Sequence, residues 1–163
     1  MRRSSVCARL LVDDESGSSL IELAFILGIF GPLLLFGTVD IATAVYASIE
    51  IESAAHAGAM YGMTSSTYAS NTSGIQTAAQ AEAADFGTNL TVTSTVYYAC
   101  SSNIAGTQYT TSAAATTACT GSGNHSLAFV KVTTSAPVTP ALRLPSLPAT
   151  YTLTSVSIME VEE

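Results

Sequence analysis

The stretch SGSSLIELAFILGIFGPLLLFGTVD, residues 16–40, decides the fold because it contains the longest apolar run in the chain. Residues 23–39 carry no charge, and the run reaches about 20 residues with its flanks, which is enough to cross a bilayer. One charge, Glu22, interrupts its N-terminal end. Pro32 predicts a kink, and the glycines around it are better tolerated in membrane helices than in soluble ones. The stretch therefore predicts a transmembrane helix.

The distribution of cations predicts how this helix is oriented. Arg2, Arg3 and Arg9 precede the apolar run, and the next cation along the chain is Lys131. Short segments rich in Lys and Arg stay on the cytoplasmic side. We therefore expect residues 1–17 to be cytoplasmic and the remainder to lie outside the inner membrane. The alternative is a secretory signal peptide cut near the sequence Ala-Thr-Ala of residues 42–44, which would release a freely secreted protein.

The helix is predicted to continue beyond the membrane to about Met63, starting from Ser19. Apolar residues recur there at steps of four on both sides of the polar Glu52 and predict one packing face; they are Ile41, Val45 and Ile49 before it, and Ala55 and Ala59 after it. A helix from Ser19 to Met63 would be roughly 65 Å long. Its outer half needs a partner outside the membrane.

The remainder of the chain predicts a short helix followed by a small antiparallel sheet. Residues 64–74 are typical of a loop, and residues 75–87 of a helix that stops at Gly87. Runs rich in β-branched and aromatic residues predict three strands, over 90–98, 127–134 and 150–161. The Pro-rich stretch 137–148 is incompatible with a central strand. The fold class is α+β, a long N-terminal helix packed on a small sheet.

Composition and motifs argue against several classes of function. The net charge is −7 with only five Lys and Arg residues, whereas nucleic-acid binding needs a basic surface. His56 and His125 are the only side chains that ordinarily titrate near neutral pH, and no H-E-x-x-H or C-x-x-C motif occurs. We therefore expect no enzyme, no metal site, no cofactor and no small-molecule substrate.

Three cysteines divide between the two sides of the predicted membrane helix. Cys7 precedes the helix, whereas Cys100 and Cys119 follow it and flank one long polar loop. In an oxidising compartment these two are expected to form a disulfide, which would stabilise the fold by roughly 3 kcal/mol. Two independent free thiols are the alternative.

The N-terminal motif resembles the class III signal of type IV pilins and pseudopilins. Gly17 precedes the helix, and Glu22 is the fifth residue after it. The resemblance is closer to TadE-like minor pilins of tight-adherence (Flp) pili, which have a Leu-rich run with Pro, as at residues 31–35, followed by an acidic residue and an Ala/Tyr-rich helix, as at residues 40–63. It departs from the family at residues 13–15, which are acidic where such leaders are usually basic.

The resemblance implies a processed, polymerising subunit. A prepilin peptidase would cut between Gly17 and Ser18, remove the leader 1–17 and leave residues 18–41 as a transmembrane helix and 42–163 as an exported pilin-like domain. Its partners would be that peptidase, other pilin subunits, the pilus assembly machinery and the membrane. Glu22 would pair with the new N-terminal amine of a neighbouring subunit, and its alternative role is an interfacial carboxylate. The competing function is a single-pass membrane-anchored adhesin or sensor that does not polymerise.

Overall fold

The computed structural model describes residues 16–140 and 149–162. Its elements, in chain order, are α1 (Ser16–Met63), α2 (Ser66–Ser70), α3 (Thr72–Glu82), a short 3-10 helix (Gly87–Asn89), β1 (Thr91–Cys100), α4 (Ser112–Ala118), β2 (Ser126–Val138) and β3 (Tyr151–Glu160). The chain divides into two compact units, one up to Ala42 and the other from Thr43 onward. The predicted α+β fold is confirmed. Cys7 and most of the predicted leader lie outside the described residues.

The three strands form one antiparallel sheet in the order β1-β2-β3. Val96 of β1 pairs with Val130 of β2, which pairs in turn with Met159 of β3. Alternate side chains of β2 are fully or almost fully buried, as the period of two in a strand requires; they are Val130, Val132, Thr134 and Ala136. This face of the central strand forms the core of the second unit.

Small residues of α1 allow the helix to approach this face closely. A Cβ atom added at Gly58 would lie 3.2 Å from Cγ1 of Val132, and one added at Gly62 would lie 3.0 Å from Cγ2 of Val130. The hydroxyl of Thr134, fully buried, donates a 2.8 Å hydrogen bond to the backbone carbonyl of Ile51. Because a buried hydroxyl without a partner would be costly, this bond fixes the position of the strand against the helix.

The predicted packing face of the outer half of α1 is wrong in its first part. Ile41, Val45 and Ile49 are exposed, by 67%, 52% and 57%. Ala55 and Ala59, from the second part of the predicted face, are fully buried as expected. The other buried side chains lie on an adjacent face of the helix and are mostly small; they include Ala47, Ile51 and Ala54. The face with small residues packs on the sheet because it permits a close helix–sheet contact. The larger aliphatic residues Ile41, Val45 and Ile49 therefore form a second stripe, which is uncovered.

The region after α1 contains more helix than predicted. Residues 64–74, predicted as a loop, contain α2 and the start of α3. The Ser65 side chain accepts a hydrogen bond from the Tyr68 N–H, and the Asn71 side chain accepts one from the Gly74 N–H. These two N-caps start the helices where composition alone suggested a loop. Gly87 is not the helix stop; it begins the 3-10 helix with a φ of +50°.

The start of the Pro-rich stretch also departs from prediction. Pro137 lies in the central strand β2, paired with Thr152 of β3. Pairing with β1 ends at Ser135, which lies opposite Thr91, so the register places Pro137 beyond the end of β1. A proline is tolerated there because it lacks a strand neighbour on one side. Residues 141–148 lie outside the described residues.

The structure joins Cys100 and Cys119 in a disulfide, with their Cα atoms 5.3 Å apart. The segment between them, predicted as a loop, contains α4, whose N-cap Thr111 accepts a hydrogen bond from the Ala114 N–H. The segment also folds back on β1, where Tyr98 and Tyr109 exchange two backbone hydrogen bonds of 2.8 Å. The bridge thus ties this segment to the end of β1.

Candidate assembly segment of helix α1

Gly17 and Ser18, the predicted cleavage site, lie in the first turn of α1, which begins at Ser16. Glycine is less favourable than alanine in a helix by about 1 kcal/mol, so Gly17 weakens the helix locally. A peptidase that needs an extended backbone would meet little resistance there.

Glu22 lies one turn further along and is exposed. Its neighbours on the helix are large apolar side chains, among them Ile21, 62% exposed, and Phe25, 69% exposed. Within residues 16–140 and 149–162 the only Lys or Arg is Lys131, and no ion pair to Glu22 is present among them. A carboxylate in such surroundings is a functional candidate by default, because an unpaired charge in an apolar environment is costly.

The first unit exposes a continuous apolar surface. The helix meets the length and composition of a membrane span from Ser19 onward, and its most apolar window is exposed throughout. Most of its large aliphatic and aromatic residues are at least half exposed; examples are Leu20, Leu27, Ile29, Leu34 and Leu35. The helix is therefore a candidate membrane anchor.

Small residues form a stripe along one face of this segment. Ala24, Gly28 and Gly31 recur at steps of four and three, the spacing that puts them on one side of a helix. Cβ atoms added at Gly28, Gly31 or Gly37 would meet nothing within 4 Å. Packing within the chain does not explain these glycines. Small residues at this spacing are typical of the contacts by which membrane helices approach one another.

Pro32 lies inside α1 and does not end the helix. Its missing N–H leaves the carbonyl of Gly28, four residues earlier, without its usual helical partner. The free carbonyl lies in the small-residue stripe, where another helix can approach it. The kink predicted at Pro32 stays a prediction.

The comparison with protein families decides what this segment is. Residues 17–60 match the family model of TadE-like proteins. The chain contains a TadE-like segment. The match begins at Gly17 and includes Glu22, the small-residue stripe and most of the outer half of α1. The predicted resemblance to TadE-like proteins of the tight-adherence pilus system is thereby confirmed over these residues.

The TadE-like match ends before the sheet. Neither the search of curated proteins nor the search of solved structures returned a match. The family is associated with pilus structure and not with catalysis. In the part of the chain that the structure describes, no three His, Cys, Asp or Glu side chains are grouped so that they could hold a metal ion.

Sequence reasoning singled out Gly17, Ser18 and Glu22, whose roles stay predictions, but it did not identify the small-residue stripe. The sequence contained a signal for this stripe, because two small residues, Ala24 and Gly28, lie four positions apart in an apolar helix. The structure brings Gly17, Ser18 and Glu22 together within two turns of one helix. The cysteine pair lies in the other unit, as a separate structural feature.

Proposed function

We propose that this protein is a minor pilin, or pseudopilin, that takes part in the assembly of tight-adherence (Flp) pili. The TadE-like match over residues 17–60 carries this proposal, because it begins at Gly17, the residue after which we expect cleavage. Residues 1–17 are a cytoplasmic leader, residues 18–41 cross the inner membrane and residues 42–163 lie outside it. The Arg residues of the leader support this orientation.

The leader is removed by a prepilin peptidase that cuts after Gly17. Gly17 offers that enzyme an unhindered backbone, because glycine has no side chain and is less favourable than alanine in a helix. The cut creates a positively charged amine on Ser18. This amine places a cation next to the apolar segment. Between Ser18 and Lys131 the mature chain has no Lys or Arg.

Glu22 is then the partner for such an amine. Four residues separate Ser18 from Glu22, which corresponds to an axial distance of about 6 Å along the helix. If Glu22 of one subunit pairs with the Ser18 amine of a neighbour, the two helices are offset by about that distance. The charge pair fixes the register between apolar surfaces that lipid covers equally well.

Two different faces of the helix are available for such assembly. At about 100° per residue, Glu22 points nearly opposite to Ala24 and Gly31. One face supplies the carboxylate, and the other supplies the small-residue stripe against which a neighbouring helix packs closely. A subunit with two unlike contact faces forms a closed ring or, when the rotation between copies does not close, an open helical array, whereas one self-complementary face forms closed dimers.

Mass spectrometry of the mature N-terminus, on protein from its native membrane, tests this proposal. A mature chain starting at Ser18 supports a pilin. A chain that keeps Met1 supports the anchored adhesin or sensor, and a start near Val45 supports a freely secreted protein. Either of the last two results overturns the proposal.

A matched pair of variants makes the cleavage test specific. Gly17→Leu should leave an unprocessed precursor in the membrane, because the branched side chain hinders the peptidase. Gly28→Leu adds the same bulk to the same helix at a position outside the cleavage site and should be processed normally. Equal processing of both variants would show that Gly17 is not the recognised residue.

A further inference from the structure

Three of the four asparagines in the chain are followed, two residues later, by a serine or a threonine. They are Asn71, Asn89 and Asn124, whereas Asn103 lacks such a neighbour. This spacing, with any residue except proline in between, is the acceptor motif for the transfer of an oligosaccharide to an asparagine in an exported protein. All three motifs lie in the second unit. Because Ser and Thr are abundant in this chain, the spacing also arises by chance, and the surroundings of each asparagine distinguish the three sites.

Both polar atoms of the Asn71 side chain already have partners. Its Oδ1 accepts a 3.0 Å hydrogen bond from the Gly74 N–H at the start of α3, and its Nδ2 donates a 3.2 Å hydrogen bond to the Tyr61 hydroxyl. An N-linked sugar is attached through Nδ2, so it would crowd Tyr61, which is half-buried. Asn71 is therefore a helix cap and a poor acceptor.

Asn124 is also held by hydrogen bonds, and it is half-buried. Its Oδ1 accepts two hydrogen bonds of 3.2 Å, one from the Ser101 hydroxyl and one from the Ser102 N–H. These bonds connect the two ends of the segment between β1 and β2, next to the disulfide. Asn124 therefore has a structural role in this connection.

Asn89 differs from both, because its side chain is exposed and makes no hydrogen bond within residues 16–140 and 149–162. It is the last residue of the short 3-10 helix, where its backbone N–H donates a 2.9 Å hydrogen bond to the Phe86 carbonyl. Thr91, which supplies the hydroxyl of the motif, is the first residue of β1 and is also exposed. Both side chains that the motif requires are therefore accessible from solvent.

The residue between them holds the motif on the surface. Leu90 is 2% exposed and packs in the core cluster that contains Ile51 and Ala83. Its backbone is extended, with a φ of −75° and a ψ of 114°. Asn89 and Thr91 thus flank a buried side chain while their own side chains remain in solvent. A group attached to Asn89 would extend outward without displacing a core residue.

We propose that Asn89 is the acceptor of an N-linked oligosaccharide. The donor is an oligosaccharide joined through a diphosphate to a membrane lipid, and a transferase outside the membrane catalyses the reaction. Nδ2 of Asn89 forms a bond to the anomeric carbon of the first sugar, and the bond from that carbon to the diphosphate oxygen breaks. The lipid diphosphate leaves, and one amide proton passes to solvent. The inference rests on the proposed export of residues 42–163 and is independent of leader cleavage.

Peptide mapping by mass spectrometry of the protein from its native membrane tests the assignment. The peptide that contains Asn89 should carry the mass of hexose or N-acetylhexosamine units, and an amidase that removes N-linked sugars should convert Asn89 to aspartate. Asn89→Gln should abolish the modification, because it moves the amide nitrogen by one methylene group. Thr91→Val should also abolish it, since it removes the hydroxyl but keeps a β-branched residue in the strand. Thr91→Ser should retain the modification.

Two control variants make the same changes outside the motif. Asn103→Gln alters the asparagine that has no Ser or Thr two residues later, and Thr93→Val alters an exposed threonine further along β1. Both should be modified like the wild type. Formation of the disulfide, read from non-reducing gels, shows that each variant is folded.

An unmodified Asn89 in the native protein overturns the inference, and so does a sugar on Asn71 or Asn124 in its place. A modification that persists in Asn89→Gln is linked to another residue and overturns it as well. The mature N-terminus separates this inference from the pilin proposal. A chain that starts at Ser18 with an unmodified Asn89 contradicts the inference alone, whereas a modified chain that keeps Met1 contradicts the pilin proposal alone.

Discussion

The two parts of helix α1 use the same kinds of residue for different partners. Cβ atoms added at Gly28 and Gly37 in the first part would meet nothing within 4 Å, whereas those at Gly58 and Gly62 in the second part would touch the sheet. The glycines of the second part are explained by packing within the chain. Those of the first part are not explained by packing within the chain, which is why we propose that they face other helices in the membrane.

Replacing one isoleucine in each part of α1 by alanine should give the largest difference in the free energy of unfolding. Ile51 is 1% exposed in the core, and Ile29 is 65% exposed. Ile51→Ala should destabilise the second unit by about 3 kcal/mol because it leaves a cavity. Ile29→Ala should leave its stability unchanged. Chemical denaturation of the full chain in detergent measures both, and equal losses would contradict the division of α1.

Breaking the disulfide should lower the stability of the second unit only, the unit that begins at Thr43. Cys100→Ser removes a bridge between residues 19 apart in the sequence, and should lower stability by about 3 kcal/mol on the chain-entropy account. Membrane insertion and processing at Gly17 should stay at wild-type levels. A labelling experiment that finds both thiols free in the native protein would remove the bridge from this description.

Adding one methyl group should give a smaller difference in stability between variants of the two parts of α1. Gly58→Ala places a Cβ atom 3.2 Å from Ile75 and Val132, so it should cost about 1 kcal/mol after its gain in helix propensity. Gly28→Ala meets no atom of its own chain and should not destabilise it. It should instead reduce association with other pilin helices in membranes, measured by co-purification. Unchanged association would show that the small-residue stripe is not a contact surface.

The sequence predicted the elements of the fold better than their contacts. The long helix and all three strands were found because apolar periodicity and β-branched runs are local signals. The packing face of α1 was predicted correctly only at Ala55 and Ala59. The remainder was missed because it depends on other small residues, whose burial follows from the shape of the sheet and not from their hydrophobicity. The position of Pro137 depended on where β1 ends, which is a property of the register between strands.

The TadE-like segment was recognisable from the sequence, whereas the roles of Gly17 and Glu22 in it stay predictions. Gly17 and Glu22 stand out because a single carboxylate near the edge of an apolar run is costly and therefore rare. The exposure of Ile41, Val45 and Ile49 was not predictable, since the sequence assigned this face of α1 to the core. Tertiary packing decides which of two apolar faces remains open.

The central claim is that the first part of α1 acts by pairing with other subunits, and Glu22→Gln tests it most directly. Glutamine keeps the shape and hydrogen bonding of Glu22 but removes the charge that attracts an amine. The variant should insert, fold and be cleaved after Gly17, yet enter pili or the assembly complex poorly. Processing and piliation must be measured separately in the same cells. Normal processing with normal piliation would contradict the account and leave Glu22 as an interfacial carboxylate.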